Sequence, residues 1–349
     1  MTAVNAAARP RHPRDVLFDA GERAVELPVC DHYSGVEARM RKSLALQQEL
    51  GPVFDVTLDG EDGAPVGGEV EHAHLISELV VSADNRFGRV GARIVPDGHG
   101  AFEPMLKVLL EKCGHRLAYL MVPKIESAHG WETTVSTIER VSADVHLDRR
   151  RGGPLPLHGL VETHGALRDV QRIAAHPRLE SLSFGLMDFV SAHRGAIPQS
   201  AMGVEGQFVH PLVVRAKLEI SAACHANGIV PSHCVVTEFR DSDALQLAAE
   251  KASRQLGYTR MWSIHPDQVR VIVEAFAPSA AEVDLAIDVI QAAEAAGWGP
   301  IRHRHAGREQ LHDRASYRYF WHVIERAHRT SLAGEDQLPA EARRRWFAA

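Results

Sequence analysis

The chain reads as an α/β protein, a (β/α)8 barrel carrying a C-terminal helical extension. Three observations predict this. Eight short apolar runs rich in β-formers alternate with stretches of helical spacing between Val25 and about Ala275. Eight such units over that span match the size of one closed barrel. The competitor, an open doubly wound sheet, should carry a phosphate loop. Yet the first strand–helix junction lacks G-x-G-x-x-G, and no G-x-x-x-x-G-K-[ST] occurs anywhere.

Taken in order, residues 1–20 hold Ala, Arg and two prolines without periodicity, and a flexible arm is expected there. Strands are expected at Val25–Cys30, Val53–Leu58, Val90–Val95, Tyr119–Ile125, Leu157–Val161, Leu182–Phe184, Ile229–Val236 and Met261–Ile264. Helical spacing marks Val36–Leu50, Phe102–Cys113 and Ala244–Leu256 among the segments between them. Gly, Pro, Asp or His punctuates most junctions. The barrel is therefore placed at 21–277. Beyond it, Pro278 and Ser279 open a helix that Gly297 stops. A His/Arg-rich linker over Gly299–Gly307 and a second helix at about Ala315–Thr330 follow, so 278–349 is an appendage and not a ninth strand unit.

The chain has 349 residues, with 39 Lys+Arg against 45 Asp+Glu and a net charge of −6. That balance, with no basic block beyond Arg149–Arg151, argues against nucleic acid and against an anionic membrane surface. Four scattered cysteines (Cys30, Cys113, Cys224, Cys234) suggest free thiols. No apolar run approaches the roughly 18 residues of a membrane span, and the N-terminus has no apolar signal core. A cytoplasmic protein is expected.

Barrel chemistry sits where strands end. The ionisable residues at those points are Asp59, Glu61 and Asp62, then Arg93, Lys124 with Glu126, Glu162 and Asp188. Successive members lie about one βα unit apart, which places them around one rim. Glu162 and Asp188 follow adjacent strands, so their carboxylates should converge. Two carboxylates without Cys suit a hard cation such as Mg²⁺. One such charge alone would more simply cap a strand; five in phase favour a site.

Six segments, "FDVTLDGEDGAP", "GARIVP", "MVPKIESA", "GLVETHGAL", "FGLMDF" and "RMWSIHPDQV", occur in this order. Together they resemble the HpcH/HpaI aldolase/citrate lyase family, in its citrate lyase β-subunit-like and malyl-CoA lyase branch, over roughly residues 40–330. The resemblance implies a barrel with a C-terminal helical lid that closes over a neighbouring subunit in a homo-trimer or homo-hexamer. It also implies a Mg²⁺-dependent carbon–carbon lyase. Such an enzyme splits or forms a β-hydroxyacyl-CoA thioester (malyl-, β-methylmalyl- or citramalyl-CoA), with a 2-ketoacid as the other product.

Carried over by position, Glu162 and Asp188 match the metal ligands, and Arg93 the arginine that binds the carbonyl or enolate oxygen. Asp313 matches the lid aspartate, and Glu61 and Asp62 stand behind Arg93 and the metal. Three departures concern substrate identity: DGED replaces the usual DLED, the asparagine after the strand-three arginine is absent, and "VCDHYSG" stands where PG is usual.

Other residues carry two readings each. Lys124 is either a Schiff-base lysine or, preferably, a lysine paired to carboxylates. Arg41 and Lys42 either meet a CoA phosphate or form a solvated helical face. His265 either touches ligand or orders the Pro266 turn. Tyr317, Phe320 and Trp321 at helical spacing indicate packing. His72-Ala-His74 and His303-Arg-His305 either bind a transition metal adventitiously or are exposed surface histidines; neither has a Cys or third His at zinc-site spacing, so the second reading is preferred. Two functional alternatives remain: an aldolase releasing pyruvate from free 4-hydroxy-2-ketoacids, and a non-catalytic ligand-binding barrel.

Overall fold

The computed structural model describes residues 12–19 and 25–348. They divide between one unit spanning Val25–Phe276 and another formed by residues 277–348 with residues 12–19.

In the first unit, eight parallel strands close in chain order. They are β1 (Cys30–Ser34), β2 (Phe54–Asp59), β3 (Val90–Arg93), β4 (Leu120–Val122), β5 (Leu157–Val161), β6 (Leu179–Phe184), β7 (Val230–His233) and β8 (Arg260–Ser263). The seam is β8 against β1, with Cys30 opposite Met261. Helices such as Glu37–Leu50, Phe102–Lys112 and Ser242–Gln255 lie between strands where the helical spacing places them. The Glu37–Leu50 helix buries Met40, Leu44, Gln47 and Leu50, one apolar-faced stripe. Gly51 stops it at φ 88°, a conformation open to glycine.

The first strand corrects the sequence reading. It starts at Cys30, not Val25, because polar residues build this part of the interior. Inward residues along β5 show three levels: His158, Leu160, then Glu162. At the lowest level Arg260 pairs with Asp55 Oδ2 at 2.5 Å and Asp31 Oδ2 at 3.1 Å. Arg89 meets the other Asp55 oxygen at 2.6 Å. The Thr57 and Tyr119 hydroxyls donate to Asp31 Oδ1 at 2.7 and 3.0 Å. Tyr119 stacks on His158 with ring centroids 3.8 Å apart. Burial, reinforced by the Arg260 charge, lowers His158 to about 3, so it is neutral. Above lies an apolar level of Tyr33, Met121, Leu160, Val235 and Trp262. Asp59, Arg93 and Glu162 stand above that. The four cysteines are free and buried.

The second unit buries Val283, Ala286, Ile290, Tyr317, Phe320, Trp321, Ile324 and Trp346 in its own core. Its first long helix, Ala280–Ala295, starts in a capping box between Ser279 and Glu282. The second is Arg314–Arg329. Between them the expected linker is instead a hairpin of β9 (Ile301–His305) and β10 (Arg308–His312). Ala306 and Gly307 turn it with φ of 48° and 79°, the paired positive values of a tight hairpin turn. Its polar alternation hid it from a hydrophobicity reading. Of the arm expected at 1–20, residues 12–19 are described, and there Pro13–Leu17 form a helix whose Leu17 joins this core. The rest of that arm lies outside the described residues. Among the described residues no helix is long and apolar enough to cross a membrane.

Replacing Arg260 by Leu strands two buried carboxylates. Removing one partner of a buried ion pair costs about 3–5 kcal/mol. Urea unfolding followed by circular dichroism should show a loss of that order. An unchanged midpoint would mean that Arg89 and the hydroxyls suffice for both acids.

Candidate active site

β2 ends at Asp59, and the loop behind it folds back onto the Asp59 carboxylate. Oδ1 accepts the Glu61 N–H at 3.0 Å and Oδ2 the Gly63 N–H at 2.9 Å. A side chain at position 63 would put its Cβ 2.2 Å from Asp59 Oδ2, so glycine is required there. The same carboxylate takes Arg93, at the end of β3, in a fork: Nε at 2.6 Å and Nη2 at 2.5 Å. The third nitrogen, Nη1, reaches Glu61 Oε2 at 2.9 Å. Below, the guanidinium carbon lies 5.5 Å from the Tyr33 ring centroid, and Tyr33 stacks on Trp262 at 4.9 Å. Burial opposes the Arg93 charge, but Asp59 and Glu61 outweigh it and hold the pKa above its ordinary value.

Lys124 follows β4 in the left-handed region, φ 50°. This aims its backbone N–H at Glu162 Oε1, 2.5 Å away. Its Nζ meanwhile reaches Glu61 Oε1 and Asp62 Oδ2 at 3.0 Å each, and Asp188 Oδ1 at 3.4 Å. Partial burial disfavours the ammonium, yet these acids raise its pKa above the usual lysine value. Burial opposes ionisation at Asp62 also, but Lys124 and Arg93 hold its carboxyl below the ordinary range. A Schiff-base lysine needs the opposite shift, so the geometry agrees with the paired reading.

Glu162 directly follows β5 and is 3% exposed. Burial first, and the Asp188 charge second, push it up to about 7. The neighbouring Gly185 makes room for it, since a Cβ there would fall 2.5 Å from Glu162 Oε2. Asp188 stands in the first turn of the Leu186–Ser191 helix with its side chain 45% exposed.

The structure thus joins Glu61, Asp62, Arg93, Lys124, Glu162 and Asp188 in one contact network. Asp59, Tyr33 and Trp262 belong to it as well. Strand alternation could have pointed Trp262 inward, while the misplaced first strand concealed Tyr33. Arg41 instead pairs with Glu37 one turn back at 2.7 Å, and Lys42 is exposed on the same helix. His265 accepts the Asp267 N–H at 3.3 Å and stacks on Phe239 at 5.0 Å, which orders the Pro266 turn. Glu126 is exposed. Asp313 lies in the other unit, where Oδ1 caps the Arg314–Arg329 helix by accepting the Ala315 and Ser316 N–H groups.

Five carboxylates here face two cations, and Glu162 has one oxygen committed to a backbone N–H. An all-oxygen donor set with surplus negative charge, Glu162 and Asp188 among it, fits a hard divalent cation.

A family model for HpcH/HpaI aldolase/citrate lyase matches residues 55–266. The crystal structure of a citrate lyase from Burkholderia xenovorans LB400 is similar at 51% identity and a TM-score of 0.80, covering 95% of this chain and 98% of that one. The L-malyl-CoA/β-methylmalyl-CoA lyase of Cereibacter sphaeroides is 28% identical over 201 residues, 54% of this chain. The chain spans 60% of that relative's length. Protein CitE of Mycobacterium tuberculosis, crystallised with magnesium, acetoacetate and coenzyme A, shares the fold. Its TM-score is 0.64 at 20% identity, over 88% of this chain and 99% of that one.

The raised Glu162 pKa predicts a stability effect. A carboxyl that holds its proton more tightly when folded stabilises the fold below its unfolded pKa of about 4.5. That contribution is lost as pH rises to about 7, some 3 kcal/mol in all. In EDTA, the melting temperature of the wild-type chain should therefore fall between these pH values relative to Glu162→Gln, which keeps the shape without the charge. Parallel curves would show that Glu162 does not titrate there.

Proposed function

The chain belongs to the HpcH/HpaI aldolase/citrate lyase family, and from that premise we propose that it is a Mg²⁺-dependent carbon–carbon lyase. Its substrate is a β-hydroxyacyl-CoA thioester of the malyl, β-methylmalyl or citramalyl kind, which it divides into an acyl-CoA and a 2-ketoacid, or assembles from them. One observation carries the reading: the surplus of carboxylates around Glu162 and Asp188, next to an arginine locked in place.

Bound by Glu162 and Asp188, Mg²⁺ supplies Lewis acidity to the oxygens of the ketoacid half. Arg93 holds the oxygen on which enolate charge develops. Its fork on Asp59 uses two of five N–H groups, and Nη1 is ion-paired with Glu61, so N–H groups on both Nη atoms remain for the substrate. Glu61 and Asp62 act through Arg93 and Lys124, as positioning residues. The Lys124 ammonium, on a flexible stem, neutralises these acids until a cation takes its place, which frees it for a substrate carboxylate. Asp313 is the acid that protonates the enolate carbon in cleavage and removes that proton in condensation. Its Oδ1 is committed to the helix cap, so Oδ2 carries the proton. In this role the Ala277–Ala349 segment is a lid that serves a neighbouring subunit of a homo-oligomer, trimer or hexamer. The buried free thiols suit a cytoplasmic setting.

A second activity enters through one relative. The (3S)-malyl-CoA thioesterase of Cereibacter sphaeroides is 26% identical over 256 residues and 80% of its own length. The same site would then release malate and free CoA.

The test is a Mg²⁺-dependence assay on malyl-, β-methylmalyl- and citramalyl-CoA, with released ketoacid trapped as a hydrazone and free thiol measured separately. Ketoacid formation lost in Asp188→Ala and Glu162→Ala is the expected outcome. Free thiol without ketoacid would indicate the thioesterase. Cleavage of free 4-hydroxy-2-ketoacids alone would indicate the pyruvate-releasing aldolase. Arg93→Lys should lower kcat by about 10²–10³, the cost of a lost oxyanion donor. In Asp313→Ala, substrate should still bind while solvent-deuterium exchange at the acyl carbon stops. Continued exchange would assign the acid elsewhere.

A further inference from the structure

The C-terminal unit carries a cluster of metal-ligating side chains of its own. On β9, alternation places Ile301, His303 and His305 on one half-buried face and Arg302 and Arg304 on the exposed one. Both imidazoles on that face converge on a single residue of the Ala280–Ala295 helix. His303 Nε2 lies 3.0 Å and His305 Nδ1 3.1 Å from the same oxygen, Asp288 Oδ2. The three ligand atoms all lie within 4.8 Å of one another. His312, opposite Ile301 on β10, adds a third imidazole whose ring centre is 6.1 Å from that of His303.

We propose that Asp288, His303 and His305 form a binding site for a transition-metal dication of the Zn²⁺ class, clipping the β9–β10 hairpin to the Ala280–Ala295 helix. The donor set decides the class. Two neutral imidazoles and one carboxylate are borderline ligands that suit Zn²⁺, Ni²⁺ or Co²⁺, whereas Mg²⁺ prefers oxygen alone. The spacing agrees. Metal–ligand bonds of about 2.0–2.2 Å put neighbouring ligand atoms of a tetrahedron about 3.3 Å apart, close to the two N···O separations here. Small rotations of the three side chains would open the centre, and the fourth position falls to water or to His312. A strand supplying His-x-His and a helix supplying the carboxylate give ligands from two elements that are already packed together. A site held on two elements loses less entropy on binding than one on a loop. The device also bears on position 313, which directly follows β10.

The test uses the full-length chain, stripped with EDTA and then held in excess Mg²⁺ so that the barrel carboxylates are occupied. Zn²⁺ is titrated by calorimetry, and Co²⁺ by its visible absorption, which is intense when the ion is tetrahedral. One equivalent should bind in the micromolar range or tighter, in the wild type and equally in Asp188→Ala. His303→Ala and His305→Ala should weaken it by at least about 100-fold and Asp288→Asn by at least about 10-fold. His305 is the more exposed of the two histidines, so its variant tests the site with little risk to folding, and circular dichroism checks this. Unchanged Zn²⁺ stoichiometry in His305→Ala would overturn the proposal by placing the metal on other histidines. So would loss of binding in Asp188→Ala, or the absence of micromolar binding in the wild type.

Discussion

A guanidinium sealed inside a closed barrel can neither lose its proton nor reach water, and Arg260 is in that position. It sits on β8, while its partners Asp31 and Asp55 sit on β1 and β2, so one ion-pair network spans the seam where the barrel closes. A slip of one residue in β1 would turn Asp31 out of the interior and leave the charge uncompensated. The network therefore selects the register of the closing strands. Most barrels fill this level with branched apolar side chains. Here ionic complementarity takes over, and the apolar residues are confined to the level above it.

That apolar level has its own effect on the rim. Tyr33, Met121, Leu160 and Trp262 separate the lower charges from the upper ones. Arg93 and Glu162 stand on a low-dielectric floor, which strengthens every electrostatic contact above it. On that floor the two cations differ in kind. Arg93 is fixed by a fork and a further ion pair, while Lys124 is a point charge on a rotatable stem shared among three acids. The proposed chemistry uses this difference, with one cation as a permanent fixture and the other as an exchangeable counter-ion.

Much of the barrel is legible in the sequence because its outer strand residues are apolar and its helices carry one-sided stripes. The rim is legible too, since residues at strand ends recur with the period of the βα unit. What escapes has a shared cause. β1, the β9–β10 hairpin and the Asp288 cluster are built from polar side chains whose partners lie on other elements. Asp31 becomes a strand residue only once Arg260 is beside it, and His303 and His305 gain a third ligand only when the preceding helix folds against them. Hydrophobic periodicity carries no record of such pairings. Asp313 shows another limit: its helix-capping role follows from local sequence, while the part in chemistry proposed for it does not.

Lys124 has one further consequence. It grips Glu162 through its backbone and Glu61, Asp62 and Asp188 through its side chain. The two attachments are genetically separable. Any residue other than proline that tolerates the left-handed conformation, asparagine or glycine above all, keeps the bond to Glu162 while deleting the ammonium. Position 124 is thus a place where evolution can retune the charge of the rim in a single codon without disturbing the placement of the buried Glu162 carboxylate.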